Sequence, residues 1–409
     1  MTGPLRVLFL NRVYPPAEGA TGEVLADLCA HLAADGFAPA VVTVGAGGET
    51  REAGVLVRRA GLAGYEGLKR AGTLGRAAGY LGVYPRLLAG ALRAPRPSVL
   101  VTKTDPPLHL VLGPLLGRLL GVPAVHWAQD LYPEVAEALG VLASEGRLAR
   151  GLRALSTWAL RRHARVVVIG ACMRARVEAR GVDPARIVEI PNWALGAVRP
   201  IAHHANAFRR EHGLEGRFVV MYSGNMGLAH PFEAMLDAAE ALVAADPRVL
   251  FLFVGGGARR AWIEAEAKRR GLGNVRLLPF QPRERLAESL SAADLHLVSM
   301  EPELTGLVVP SKIYGVAAAG RPCVFLGPEA SEAARFVLGA RCGDVLEHPD
   351  GAALAASIRR WHAGEAGRAE AGLRARRAAV EGRARSLAAF ATLLREVAGE
   401  RALARSALR

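Results

Sequence analysis

Residues 6–44 read RVLFLNRVYPPAEGATGEVLADLCAHLAADGFAPAVVTV. Arg6 to Leu10 is a short apolar run without alternation, which marks a strand buried on both faces. Tyr14, Pro15, Pro16, Gly19 and Gly22 make the loop after it. Val24, Leu25, Leu28 and Leu32 then share one face of a helix, and Ala38 to Val44 reads as the next strand. Strand, glycine loop, helix, strand is the opening of a doubly wound parallel sheet.

Outward from this unit the pattern continues. Val99 to Thr102, Ala124 to Trp127, Val166 to Ile169 and Arg186 to Ile190 read as strands, with helices over His109 to Leu120 and Leu148 to His163. Pro191 and Asn192 close a first domain, 1–195. After a linker the winding restarts with the strand Phe218 to Tyr222, the glycine loop Ser223 to Gly227 and a helix from Pro231 to Ala244. Leu250 to Val254 leads into Gly255-Gly256-Gly257, and Val275 to Leu278, Leu295 to Ser299 and Cys323 to Leu326 are later strands. The expected fold class is α/β: two Rossmann-like, doubly wound parallel-sheet domains, 1–195 and 196–375, facing a cleft. A closing Arg-rich helix, strongest over Leu373 to Ala398, occupies 376–409.

Composition narrows the function. The chain has 409 residues and a net charge of +14. Such a charge suits nucleic acid, an anionic membrane or a diphosphate ligand. No nucleic-acid motif with interleaved aromatics accompanies it, so nucleic acid is not expected. The four cysteines form no CxxC pair, which argues against zinc and a disulfide framework and for a cytoplasmic home. The chain lacks a signal-peptide layout at Met1 to Arg12 and any apolar run long enough to span a bilayer.

A glycine turn between a strand and a helix presents backbone N–H groups to an anion, and Gly19 to Gly22 and Ser223 to Gly227 both qualify, although simple turn chemistry accounts for many such loops. Glu301-Pro-Glu-Leu-Thr-Gly-Leu-Val-Val-Pro-Ser-Lys-Ile-Tyr-Gly315 reads as a loop entering a helix. Ser311 is a cap candidate there and Lys312 a cation beside the helix start. An ordinary buried helix with a surface lysine fits the same letters.

That segment resembles the donor-binding region of family 4 of the retaining glycosyltransferases. The branch it resembles builds bacterial surface polysaccharides of the colanic acid and O-antigen type. Tyr14-Pro-Pro-Ala-Glu-Gly19, His126-Trp-Ala-Gln-Asp-Leu-Tyr-Pro-Glu134, Ile190-Pro-Asn-Trp193 and Tyr222-Ser-Gly-Asn-Met-Gly227 carry the resemblance through both domains.

The resemblance implies a GT-B fold with the donor in the C-terminal domain, the acceptor mostly in the N-terminal one, and transfer with retention. The donor is a nucleotide-sugar, UDP by family habit with GDP behind. Gly224, Asn225, Met226 and Gly227 would line the pyrophosphate or sugar, and Phe280 and its neighbours the base. Thr305, Gly306, Leu307, Val308, Val309, Ser311 and Lys312 would face the donor sugar and diphosphate, with Gly19 and Gly22 approaching the same phosphates. Asp130, Glu134 and His126 are the catalytic candidates near the acceptor, which would be a glycan or a polyprenyl-diphosphate-linked one. The final helix would cross back to the first domain.

The chain departs from the family in three places. The second of two family glutamates falls at Ser311 counted from Glu303, or at Gly315 counted back from Gly320-Arg321-Pro322. Gln129-Asp130 stands where many members have His-Asp. The basic residue expected after the Ser223 to Gly227 turn is missing, with His230 as a partial substitute. No D-x-D metal motif occurs, so no metal and no cofactor are expected. A nucleotide-sugar epimerase and a non-catalytic donor-binding partner are the rival readings.

One stretch suggests a membrane. Between Leu62 and Arg96, Tyr65, Leu68, Lys69, Arg70, Leu74, Arg76, Tyr80, Leu81, Tyr84, Arg86, Leu87, Leu88 and Arg93 mix apolar groups with cations around the single acid Glu66. Peripheral binding to an anionic surface on the inner face of the plasma membrane is one expectation; a packed helix pair with solvated arginines is the other.

Overall fold

The structure is a computed structural model that describes residues 3–17, 19–61, 72–227 and 230–407, giving only the helical backbone over 72–81 and 401–407. It has two compact units: Met1–Pro191 with Arg385–Arg409, and Asn192–Ala384.

In the first unit the elements run β1 (Arg6–Leu10), α1 (Ala20–Ala34), β2 (Ala38–Val44), β3 (Gly48–Glu52), β4 (Val55–Ala60), α2 (Gly72–Arg93) and β5 (Val99–Lys103). Then come α3 (Leu112–Leu120), β6 (Ala124–Trp127), α4 (Glu134–Ala138), α5 (Arg147–Leu160), β7 (Arg165–Val168), α6 (Ala171–Ala179) and β8 (Ile187–Glu189). The strand order is β3-β4-β2-β1-β5-β6-β7-β8, parallel throughout except for β3 against β4. Apolar runs form the central strands because both faces are covered: Leu8, Leu10, Val42 and Leu100 pack on one face against Val83, Leu87 and Ala91 of α2 and Leu116 of α3.

The second unit runs α7 (Ala207–Glu211), β9 (Phe218–Asn225), α8 (Phe232–Val243), β10 (Val249–Gly256), α9 (Arg260–Arg269), β11 (Val275–Leu278) and α10 (Leu286–Ser291). It continues with β12 (Leu295–Ser299), α11 (Lys312–Ala318), β13 (Cys323–Leu326), α12 (Glu332–Ala340), β14 (Gly343–Leu346) and α13 (Gly351–Ala363). Its strand order is β11-β10-β9-β12-β13-β14, all parallel. The last helix, α14 (Glu365–Ala407), starts in the second unit and ends in the first. Within the first unit its Phe390 ring packs 4.5 Å from the Trp127 ring and Ser386 Oγ donates to Pro191 O at 2.8 Å.

The doubly wound α/β expectation holds in both units. β3, β4 and β14 escaped the sequence reading: β3 is an edge strand with the polar sequence GETRE, β4 beside it carries Arg58 and Arg59, and β14 is the other unit's edge strand of half-buried residues. Among the described residues no helix is long and apolar enough to cross a membrane. Tyr65, Glu66, Leu68, Lys69 and Arg70 of the basic stretch lie outside the described residues, as do the side chains of Leu74, Arg76, Tyr80 and Leu81.

Candidate functional site

Ligands of doubly wound sheets bind outside the carboxyl ends of the strands, where the winding reverses. In the first unit that point lies between β1 and β5, and in the second between β9 and β12. The loops leaving those four strands hold most of the residues singled out from the sequence.

In the first unit Arg12, just past β1, reaches across to Asp105, just past β5. Its Nε and Nη2 donate to the two carboxylate oxygens at 2.6 and 2.7 Å, and its backbone N–H donates to Asp105 O at 3.0 Å. This bidentate, charge-assisted pair clasps the switch point. Gly22 is required by close approach: a Cβ there would meet Val13 O at 2.8 Å. A Cβ on Gly19 would meet Val13 Cγ1 at 2.9 Å. Both glycines therefore let α1 sit against the loop.

Asp130 follows β6 and is held from behind. Thr104 Oγ1 accepts from Gln129 N at 2.8 Å and pairs with the Asp130 backbone at 3.4 Å. Its own carboxyl is pushed up to about 7 by burial first and then by Asp105, while Lys103 opposes the shift. Glu134 is bound to Arg180 at 2.5 Å. His126 is buried, with Nδ1 3.1 Å from Thr102 Oγ1 and its ring centroid 5.4 Å from that of His163. Burial drives its pKa well below the ordinary histidine value, with His163 and His109 adding to the effect. Of the three acceptor-side candidates, Asp130 alone stands beside the clasp without a side-chain ion pair; His126 belongs to the core.

In the second unit β9 runs on through Asn225, and its Gly224 lies backbone to backbone against Gly255 at the end of β10. Gly255 has φ +140° and a Cβ on it would stand 2.1 Å from Gly224 O. Gly257 has φ +140° and would collide with Asn225 Oδ1 and Met226 O at 2.6 Å each. No side chain other than hydrogen fits these positions. Met226 N donates to Gly256 O at 2.6 Å, and the Met226 side chain is buried. Arg260 Nη1 ties the loop to the end of β11 by donating to Gly255 O at 2.6 Å and Leu278 O at 2.8 Å. Phe280, 59% exposed, lies beside this loop, its ring edge 3.1 Å from where a Cβ on Gly256 would be.

Lys312 enters the same switch point from α11. Its ammonium donates to the Tyr222 hydroxyl and sits 3.8 Å from the centre of the Tyr222 ring. The residue keeps part of its surface, yet its ammonium is packed deeply enough that burial alone pushes it down to about 7. No carboxylate counters that shift among the described residues. Ser311 occupies the cap position, exposed, and its hydroxyl makes no capping bond. Gly306 turns at φ +76°, Leu307 is buried, and Val308 and Val309 are half-buried beside Thr305.

His230 crosses from the β9 loop to β12, with Nδ1 2.8 Å from Ser299 O. Burial, then Lys312, pushes it down to about 3. In the unliganded site the imidazole is therefore neutral, with no charge to offer a phosphate. The cation nearby that the sequence reading missed is Arg259, whose N–H donates to Met226 O at 2.9 Å; its guanidinium pairs with Glu233 and stacks 4.1 Å from the Trp262 ring. Among the described residues no group of three or more His, Cys, Asp or Glu is placed to hold a metal ion.

Residues 19–193 match the glycosyl transferase 4-like domain and residues 205–377 match the glycosyl transferases group 1 family. WbjE of Pseudomonas aeruginosa, named a probable glycosyltransferase, is 30% identical over 246 residues, 60% of this chain and 61% of the relative. WcaI of Escherichia coli K12, named a putative colanic acid biosynthesis glycosyl transferase, is 28% identical over 223 residues, 53% of this chain and 54% of the relative. The chain thus matches less than two thirds of the length of these relatives. Among solved structures, Anabaena Alr3699/HepE with UDP and glucose superposes with a TM-score of 0.68 at 16% identity, covering 98% of this chain and 99% of that one. WaaG, a glycosyltransferase involved in lipopolysaccharide biosynthesis, gives 0.66 at 19% identity over 91% and 95%. At those identities the likeness shows the fold, which is GT-B. The chain carries a glycosyl transferase 4-like domain followed by a glycosyl transferases group 1 domain.

Proposed function

We propose that this chain, built of those two domains, is a glycosyltransferase that moves a sugar from a nucleotide-sugar, with UDP as the nucleotide, to a glycan or polyprenyl-diphosphate-linked acceptor, with retention. The observation that carries the reading is Lys312. An ammonium with no carboxylate acting on it among the described residues, resting on Tyr222 beside two interlocked glycine loops, lacks an anion there. A donor diphosphate supplies one. Anabaena Alr3699/HepE, which shares the fold, has been solved with UDP and with UDP-glucose, which supports the choice of nucleotide.

The chemistry follows from charge. As the glycosidic bond to the diphosphate breaks, negative charge grows on the leaving phosphate. Lys312 and the glycine turn at Gly224 to Gly227 are fixed before that charge appears, so they stabilise it without reorganising. No step needs a metal in this reading. Asp130, at the first unit's switch point, is the acceptor-side residue. A lipid-linked acceptor would bring the enzyme to the cytoplasmic leaflet as a peripheral protein.

Calorimetry with UDP on wild type and Lys312→Ala tests the donor half. The expected loss is about 1.5–3 kcal/mol, the range of a hydrogen bond to a charged group. Unchanged affinity would remove Lys312 from the site. Tight UDP binding with no transfer to any membrane extract would instead make the chain a donor-binding partner without activity.

A further inference from the structure

Over much of the first unit, arginines near the surface are answered by acids: Arg153 by Glu137 at 2.7 Å, Arg174 by Glu178 at 2.8 Å and Arg395 by Asp35 at 2.7 Å. One face breaks that habit. From Leu62 to Gln129 the sequence carries eight basic residues and two acids, Glu66 and Asp105. Asp105 is taken by Arg12 at the switch point, and Glu66 lies outside the described residues. Arg86 donates to the carbonyls of Gly61 and Gly82 at 2.7 and 2.9 Å, and Arg96 to that of Leu120 at 3.0 Å. Arg93 and Arg118 are exposed and have no carboxylate partner among the described residues.

The same face is apolar where water would favour polar groups. α2 turns Val83, Leu87 and Ala91 inward onto the sheet, and α3 turns Leu116 inward beside them. On the side left to water both helices carry leucine: Leu88 and Leu92 on α2, Leu115 and Leu119 on α3, from 36% exposed at Leu88 to 68% at Leu119. Each pair is spaced four residues apart, so each makes a ridge along its helix. The bond from Arg96 to Leu120 O joins the chain just past α2 to the end of α3. Leu92 and Leu119, each in the last turn of its helix, therefore bring the two ridges to one corner. Pro95 and Pro97, on either side of Arg96, line a groove of about 260 Å³ that Arg6 and Arg51 also line. Both of those arginines are exposed and without an acid partner among the described residues, so the cationic field continues past the corner. A single exposed leucine needs no explanation; four on neighbouring helices, rimmed by unanswered arginines, mark an interaction surface.

We infer that this face of the first unit docks on an anionic lipid bilayer: Leu88, Leu92, Leu115 and Leu119 enter the boundary of the acyl layer, and Arg93, Arg96 and Arg118 lie against the headgroup phosphates. A second copy of the chain fits the face less well, because a two-fold contact through the leucines would set the same unanswered arginines against one another. A bilayer supplies both the apolar layer and the anions. Leu88 and Arg93 belong to the basic stretch that stood out in the sequence; Leu115, Arg118 and Leu119 join them only in the fold. The inference goes beyond the glycosyltransferase reading, on which it rests only for the reason an enzyme would sit there, a lipid-linked acceptor.

The test is flotation of the full-length protein with vesicles of phosphatidylcholine alone and of phosphatidylcholine with an equal part of phosphatidylglycerol. Wild type should float with the anionic vesicles, far less with the neutral ones, and be released by salt. Leu115→Ser with Leu119→Ser should lower the partition coefficient about tenfold or more, since two leucines no longer leave water. Arg93→Glu with Arg118→Glu should lower it by about as much. Leu338→Ser with Leu373→Ser, at exposed leucines of the second unit, should leave it unchanged. All these positions are exposed, and an unchanged thermal melt checks that each variant folds; if the leucine variant melts early, the arginine variant decides alone. Wild type that ignores anionic vesicles at low salt overturns the inference, and so does binding that survives both first-unit double variants. A concentration-dependent dimer that Leu115→Ser with Leu119→Ser dissolves, with no vesicle binding, would overturn it in favour of a second copy. Absence of sugar transfer would count against the glycosyltransferase reading and leave the vesicle result standing.

Discussion

Each sheet brings a lysine onto an aromatic ring at its switch point, and the two lysines differ in what neutralises them. Lys103 lies 3.4 Å from the Trp127 ring centre with Asp130 and Asp105 in reach. Lys312 lies 3.8 Å from the Tyr222 ring centre with no carboxylate acting on it among the described residues. Around the first, the chain clasps its own charges, with Arg12 bidentate on Asp105. Around the second it offers backbone, with Gly224, Gly255 and Gly257 stripped of side chains where the loops touch. A self-neutralised switch point suits an uncharged partner such as a hydroxyl. An un-neutralised one suits an anion.

The largest test of this contrast is Gly255→Ala. A Cβ 2.1 Å from Gly224 O, at φ +140°, cannot be absorbed by a flexible side chain, because the obstacle is backbone. We expect a loss of roughly 3 kcal/mol or more of stability in the second unit, together with loss of UDP binding. Denaturant melts and calorimetry would show it; a stable variant with normal UDP affinity would mean the loops are not the phosphate cradle. Arg12→Ala comes next. The pair is mostly buried, with side-chain exposures of 16% and 19%, so its loss should lower stability by about 1–2 kcal/mol, between exposed and buried ion pairs. UDP affinity should be unchanged, since the clasp belongs to the other unit. A large drop in UDP binding by Arg12→Ala would blur the division between the two points. The smallest effect expected is that of EDTA. If Lys312 and the loop N–H groups carry the leaving-group charge, chelation leaves sugar transfer at its full rate. Activity abolished by EDTA and restored by magnesium or manganese would show that the second switch point is completed by a metal.

Much of this was legible from the letters because apolar strands and glycine turns are local signals. β1, β2, β6, β11, β12 and β13 lie where short, mostly apolar runs put them, and the glycines of both loops announce tight backbone. What resisted was non-local. Arg12 and Asp105 are separated by 93 residues, and nothing in either segment names the other. Trp127 reads as a strand residue, and its service as the platform for Lys103, backed by Phe390 from the last helix, depends on the assembled first unit. Lys103 itself reads as the polar end of a strand; only burial reveals that it ends inside protein. His126 shows the opposite error: a chemically capable residue in a motif that strand alternation turns into the core.

The measurement that tests the central claim most directly is the [13Cε]lysine spectrum of the wild-type protein, titrated with pH with and without saturating UDP. In the free protein, Lys103 and Lys312 should both titrate near pH 7. UDP places a diphosphate beside Lys312 and must favour its charged form, so its midpoint should rise by about one pH unit or more, and binding near neutral pH should take up a proton. The Lys103 midpoint should stay where it was. A Lys312 midpoint that ignores bound UDP, or a Lys103 midpoint that moves in its place, would contradict the assignment of the donor to the second unit's switch point.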